Sequence, residues 1–352
     1  MSNDSKKVYI GLSGGVDSSV SASLLKDQGY DVTGVFIKIW HPDFLNCTWK
    51  EDMRDAMRVC AKLDIPFKTI DLSKEYEDEV IKYMIKEYSE GRTPNPDVMC
   101  NKYIKFGLFY DFAIKDGADF VATGHYAKTQ NGLMYKAKDQ NKDQTYFLWT
   151  IPHEKLKKVI FPIGDLEKSK VREIAEKKDL VTAFKKDSQG LCFVGHIDMK
   201  DFLKNYLDSK KGAVLSESGD VIGEHDGSIF YTTGQRHGFT ILEKGTEDKP
   251  MYVISKNLEK NTITVSENKP KNKGDSGVIK LSNLNIIDKN FLDNYEVEVR
   301  FRYRQDLKKA ELKIDGDNGE IKMLEESEKS HIGQSAVFYK GDQCLGGGVI
   351  TN

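Results

Sequence analysis

Residues 8–20 read VYIGLSGGVDSSV, and the architecture can be worked outward from this stretch. Lys7 to Gly11 has the apolar, β-branched character of a strand, and Ser18 to Gln28 has the pattern of a helix. Between them Leu12, Ser13, Gly14, Gly15, Val16 and Asp17 form a glycine-rich turn. Such a turn lets backbone pass close to phosphate oxygens, and the helix behind it points open N–H groups and its positive dipole end at an anion. Ser13, Ser18 and Ser19 add hydroxyl donors. No Gly-Lys-Ser/Thr follows, so the lysine that reaches the terminal phosphates in a Walker loop is missing. A plainer reading makes Asp17 only a helix cap. The complete SGGVDSS string between strand and helix favours a phosphate cradle.

The pattern then repeats. Asp31 to Ile39 reads as a strand, Met53, Ala56, Met57, Cys60 and Leu63 fall at helical spacing, and a short strand ends near Ile70. Helices follow over Glu75 to Tyr88 and Ile104 to Ile114, then a strand over Phe120 to Thr123. Alternating strands and helices predict an α/β fold with a doubly wound parallel sheet, ligands binding at the carboxyl ends of its strands. From Gly212 the elements shorten: Ala213 to Leu215, Val221 to Gly223, Met251 to Ser255, Thr262 to Val265. After a charged stretch, Tyr295 to Tyr303, Ala310 to Ile314, Ser335 to Tyr339 and Leu345 to Ile350 read as further strands. The expected division is a catalytic α/β domain with a basic helical extension over 1–211, a small β-rich connector over 212–275 and a C-terminal β-barrel over 276–352.

The composition narrows the class. The 352 residues carry 53 basic and 55 acidic side chains, a net charge of −2, which lacks the strongly basic balance common in nucleic-acid binders. No apolar run reaches the ~18 residues of a membrane span, and the first residues, MSNDSKK, lack a signal-peptide core, so a cytoplasmic protein is expected. Five cysteines, Cys47, Cys60, Cys100, Cys192 and Cys344, form no CxxC pair, which argues against a disulfide scaffold or zinc ribbon; no structural metal is expected. Cys60 and Cys344 belong to apolar stretches and read as core, and Cys47 as filler. Cys100 and Cys192 stand in loop motifs, and each taken alone would most often be structural. Cys100 stands in GRTPNPDVMCNKYIKF (91–106), three residues after Asp97. If Asp97 caps the next helix, Cys100 occupies its first turn, where the dipole favours a thiolate and the Asp97 charge opposes it. Cys192 lies in KKDSQGLCFVG (185–195), a glycine-containing loop.

Taken together and in order, SGGVDSS, GRTPNPDVMCNKYIKF, ATGHYA (122–127), NKDQTYFL (141–148), KKDSQGLCF, TTGQRHG (232–238), RYRQ and GQSAVFY closely resemble the bacterial tRNA-specific 2-thiouridylases, within the ATP-pyrophosphatase superfamily. The resemblance runs from near the first residue to the last strand. It implies ATP-dependent thiolation of C2 of the wobble uridine, position 34 of certain tRNAs, with sulfur supplied as a persulfide by a relay protein and Mg²⁺ accompanying the ATP. By this resemblance Cys192 carries the persulfide, Cys100 closes a transient disulfide with it, and Asp97 acts as acid and base. Asn95, Pro96 and Asp97 surround the target base. Gly11, Leu12, Ser13, Gly14, Gly15, Val16, Asp17, Ser18, Ile37 and Gly124 hold ATP; Ile37 stands where the family often has Met. His125, Lys142, Asp143, Gln144, Arg302, Tyr303 and Gln334 face the tRNA, and the chain is expected to act as a monomer. A disulfide needs Cα atoms within ~7 Å, so the loop bearing Cys192 is expected to move.

Local charge resolves the apparent conflict with an RNA partner. Residues 151–211 hold 14 basic and 10 acidic side chains. Arg300, Arg302 and Arg304 are three of only eight arginines, and a strand period of two would place them on one face able to grip phosphates. A solvated barrel face is the plainer reading. Among rival functions, a small-molecule ligase of the same superfamily would leave Cys100, Cys192 and these arginines idle. A cytidine thiolase would want paired cysteines, and a nucleotide sensor would release no pyrophosphate.

Overall fold

The computed structural model describes residues 5–42, 44, 49–186, 199–242, 249–268, 278–288, 290, 296–327 and 330–352. Strand β1 (Lys7–Gly11) leads into helix α1 (Val16–Asp27), followed by β2 (Asp31–Lys38), helix α2 (Trp49–Leu63), β3 (Phe67–Asp71) and β4 (Phe120–Thr123). A hairpin of β5 (Lys128–Gln130) and β6 (Leu133–Tyr135) comes next, then β7 (Val159–Ile160) and helix α3 (Lys168–Lys177). The first sheet has the order β3-β2-β1-β4-β7 with every pairing parallel, as the alternating pattern predicts.

Helix α1 is buried on nearly all sides, which explains its small residues. Ala22 and Leu25 pack with Val8, Ile10 and Leu12 of the sheet side, while Val16 and Val20 meet Val171 and Ala175 of α3. Three of its buried serines bond backbone carbonyls one turn back: Ser18 Oγ donates to Gly15 O at 3.1 Å, Ser19 Oγ to Gly15 O at 2.8 Å and Ser21 Oγ to Asp17 O at 2.8 Å, while Ser23 Oγ has no hydrogen-bond partner among the described residues. On α2, Cys60 is buried and its thiol is pushed up to about 11 by burial, but Met57, assigned to the same face by spacing, is largely exposed. Two helices widen: the one starting at Ser73–Tyr76 becomes π-helical over Glu77–Ile81, and the one starting at Pro96–Met99 does so over Cys100–Phe109.

The connector is a five-stranded sheet, made of β8 (Gly212–Leu215), β9 (Val221–His225), β10 (Phe239–Ile241), β11 (Tyr252–Asn257) and β12 (Thr262–Ser266). Strands β13 (Val278–Ile286), β14 (Glu296–Arg300), β15 (Lys308–Asp315), β16 (Asn318–Met323), β17 (Ser335–Lys340) and β18 (Gln343–Ile350) close a barrel in the order β13-β16-β15-β14-β17-β18, with β18 pairing back to β13. Gly346 permits that closure: its φ is +134° and a Cβ there would stand 2.0 Å from Asn285 O. The barrel sheet does not stop at the barrel. β6 pairs with β18 at Met134–Cys344 and Tyr135–Gln343, so a hairpin that follows β4 of the parallel sheet extends the sheet of the barrel. The thiol of Cys344, buried at this join, is pushed up to about 12 by desolvation. Among the described residues no helix is long and apolar enough to cross a membrane.

Candidate active site

The nucleotide loop leaves β1 at Gly11, turns through Gly14 at φ +72° and enters α1 with Gly15 as N-cap and no capping side chain. The first-turn N–H groups are therefore not satisfied by a cap, the condition a phosphate would complete. Asp17 does not cap. Its carboxylate receives Lys168 Nζ at 2.7 and 2.8 Å and the Tyr126 hydroxyl at 2.9 Å. A Cβ on Gly14 would lie 2.4 Å from Asp52 O, and one on Gly124 would lie 2.6 Å from Ser18 N, so the loop is braced from behind by backbone. Gly15 meets nothing closer than Ser13 Oγ at 3.3 Å, and Ser18 Oγ accepts from Ser13 N at 3.2 Å. Ile37 Cδ1 lies 3.9 Å from the Cβ position of Gly11, which puts this apolar side chain beside the start of the loop.

The second element is the Pro96–Met99 turn. Its cap is Asn95, whose Oδ1 accepts from Val98 N at 3.4 Å; Pro96 fills the first helical position and Asp97 sits in the first turn. This corrects the expected Asp97 cap, since an Asn followed by Pro is itself a well-formed helix start. Cys100 ends that turn, begins the π-helical stretch and is only 3% exposed. Burial raises its thiol above the ordinary range; Lys105 pulls it down, Asp97 adds to the rise, and a hydrogen bond with Tyr76 opposes it. Asp97 thus acts in the direction the sequence suggested, and desolvation, which the sequence does not display, is the largest cause.

Gly124 and His125 join these two elements. Gly124 presses on the N-terminus of α1, while the His125 ring touches Thr123 Oγ1 at 2.7 Å and Lys105 Nζ at 3.3 Å. At 8% exposure, His125 is enclosed between Phe106 and Phe161 instead of standing on the surface, and burial with the nearby Lys105 charge lowers its pKa well below the usual value. Lys105 lies within the 91–106 string but five residues from Cys100, a separation that only the π-helical stretch brings to one face, and Tyr76 comes from another helix.

The residues expected to face RNA separate into buried and accessible groups. Asp143 is 1% exposed; its carboxylate accepts from Ala137 N at 3.1 Å and Thr145 Oγ1 at 2.8 Å and lies 3.9 Å from Arg300 Nη1. Gln144 holds Tyr126 N through Oε1 at 2.9 Å, which ties this segment to the residue that bonds Asp17. Lys142 is half-buried. The expected arginine face is not formed, because β14 ends at Arg300 and residues 301–304 turn, with Arg304 at φ +61°. Arg300 is buried over the Tyr339 ring at 4.8 Å; Arg302 reaches His331; Arg304 lies over Tyr303 at 5.0 Å and donates to Asn141 O at 2.9 Å. Gln305 Oε1 accepts from the N–H groups of Phe301 and Arg302 at 2.8 and 3.0 Å, closing the turn that breaks the period.

This turn nevertheless approaches Asn95. The Tyr146 hydroxyl donates to Phe301 O at 2.8 Å and is hydrogen-bonded by the Asn95 side chain, while Tyr303 stacks at 4.7 Å on Phe147. Gln334 is half-buried and its Oε1 has no hydrogen-bond partner among the described residues. Cys192 and Cys47 lie outside the described residues, as does the loop expected to move. Among the described residues no group of three or more His, Cys, Asp or Glu side chains is placed to hold a metal.

A parallel-sheet domain with an uncapped phosphate-type loop, followed by a connector sheet and a closed barrel, defines the class: a three-part α/β protein with β-rich appendages. Family models match accordingly: a tRNA methyl transferase HUP domain over residues 6–196, its PRC-barrel domain over 200–267 and an aminomethyltransferase β-barrel domain over 276–350. Relatives matching the whole chain refine this. The tRNA-specific 2-thiouridylase MnmA of Streptococcus mutans is 46% identical over 99% of this chain and 96% of its own length. Those of Staphylococcus carnosus (45%, over 100% and 97%) and Bacillus subtilis (43%, over 98% and 95%) are similar. The chain belongs to the tRNA-specific 2-thiouridylase family, and its class is that of a tRNA sulfurtransferase.

Proposed function

We propose that this enzyme converts uridine 34 of tRNA to 2-thiouridine in two chemical stages. The C2 oxygen of uracil is a poor leaving group, so it first attacks the α-phosphorus of ATP and pyrophosphate departs. ATP lies along Gly11–Ser18, with Ile37 against the adenine and Gly124 bracing the loop, and Mg²⁺ accompanies the phosphates. Asn95, Pro96 and Asp97 surround the base, and Asp97 moves the protons. The terminal sulfur of a Cys192 persulfide, loaded by a relay protein, then bonds to C2 and AMP leaves. Cys100 attacks the Cys192 sulfur, the S–S bond to the transferred sulfur breaks, and thiouridine is released. The two cysteines are left as a disulfide, which an external thiol reduces. Arg302, Tyr303, Lys142 and Gln334 hold the anticodon loop from the barrel side, while the buried His125 and Asp143 act by positioning their neighbours.

One observation supports this assignment above the others: Gly124 and His125, adjacent in sequence, touch the nucleotide loop and the helix of Cys100 respectively. An adenylated base and a thiol chemistry can therefore share one pocket. Mass spectrometry of nucleosides from unmodified tRNA, incubated with protein, ATP and a persulfide donor, should show 2-thiouridine. In single turnover Cys192→Ser should make none; product at the parent rate would end the persulfide assignment.

A further inference from the structure

Between Lys7 and Lys26 the sequence holds no lysine or arginine. A nucleotide triphosphate brings several negative charges to this loop, which offers hydroxyls and N–H dipoles but no formal positive charge of its own. The charge it does carry, Asp17, has the wrong sign for an anion site. The fold compensates from 151 residues away: Lys168, the first residue of α3, places its ammonium on both Asp17 oxygens at 2.7 and 2.8 Å. The Lys168 side chain is only 14% exposed. Its backbone N–H donates to Asp139 Oδ2 at 3.0 Å, so the helix start is fixed independently of the ammonium. Val171 and Ala175 already fasten α3 to Val16 and Val20 of α1. The ion pair is thus not required as a clamp between the helices, and it sits at the end of α1 where the phosphates would arrive.

Building on the ATP-binding reading, we propose that Lys168 is a phosphate-binding residue, the distal replacement for the lysine missing from the loop, and engages the β- and γ-phosphates of ATP. Asp17 and the Tyr126 hydroxyl orient it. A flexible four-carbon stem lets the ammonium keep one donor on Asp17 while others turn to phosphate oxygens.

The test compares equilibrium binding of ATP and AMP to the full chain. Lys168→Met should weaken ATP by about tenfold or more, the worth of one hydrogen bond to a charged group, while AMP, which lacks the β- and γ-phosphates, changes far less. Lys168→Arg should retain most of the ATP affinity, and it guards against a variant that simply misfolds. The decisive variant is Asp17→Asn combined with Lys168→Met. If Lys168 merely neutralised Asp17, removing both charges would restore ATP binding, and that result overturns the proposal. Equal loss of ATP and AMP affinity in Lys168→Met with a lowered melting temperature, or no loss of either, overturns it too. A parent protein that binds neither nucleotide would sink the ATP-binding reading itself, and this inference with it.

Discussion

The nucleotide loop and the join between the first domain and the barrel solve the same problem, fixing polar groups in place, by opposite means. The loop uses neighbours in sequence: Ser13, Gly15, Ser18 and Ser19 bond one another within a few residues, and glycine brings backbone close to backbone. The join uses partners far apart. Thr145 meets Tyr339 at 3.1 Å, Lys136 donates to Gly341 O at 2.7 Å, and Asn285 donates to the carbonyls of Trp149 and Ile151 at 2.6 and 3.1 Å. Local bonds make a motif that survives as a string; distant ones make a surface that exists only after folding. The first arrangement fails by losing its ligand, the second by losing its structure.

That difference can be broken experimentally. Asp143→Ala should have the largest effect on stability: it leaves Arg300 buried over Tyr339 without its carboxylate, which costs on the order of 3 kcal/mol, read as a lower urea midpoint at unchanged slope. A midpoint within error of the parent would mean that the buried pair holds nothing together. Gly14→Ala comes next, because φ +72° and a backbone oxygen 2.4 Å from the new Cβ force the loop to shift. ATP affinity should fall at least about tenfold, while the cost in stability stays near 1–3 kcal/mol; retained ATP binding would show that loop geometry is not limiting. The smallest effect belongs to Arg302→Ala, a half-buried residue on the barrel turn. It should lower the slope of log affinity for tRNA against log salt by about one, leaving ATP binding alone. An unchanged slope counts against a phosphate contact.

The same contrast decides how much was legible beforehand. Strands β1, β2 and β4 and the loop after β1 follow from a regular alternation of apolar runs and glycines, and the structure places them there. A helix bearing Cys100 follows from the sequence, but its start does not: Pro94 and Pro96 read as extended loop with Asp97 as the cap, whereas Asn95 caps and Pro96 is already the first helical residue. The arginine face failed for a physical reason: a period-two argument assumes that the strand continues, and Gln305 ends it by binding two backbone N–H groups. His125 and Asp143 could be picked out by resemblance, yet burial, which sets their role, comes from Phe106, Phe161, Arg300 and Tyr339, residues that no local pattern connects. Lys168 has no local signature, because its ion pair with Asp17 spans 151 residues of sequence.

The β5–β6 hairpin carries a consequence for the order of events during synthesis. Its barrel partner, β18, begins at Gln343, whereas the hairpin ends at Tyr135. At about 5–20 residues per second on the ribosome, the hairpin waits roughly 10–40 s for its neighbour, with one edge of a two-stranded ribbon, marginal by itself, open to other chains. Strand β18, made about 200 residues later, is therefore the one that seals the hairpin of the first domain, and a nascent chain halted between residues 135 and 343 carries an open edge that the folded enzyme conceals.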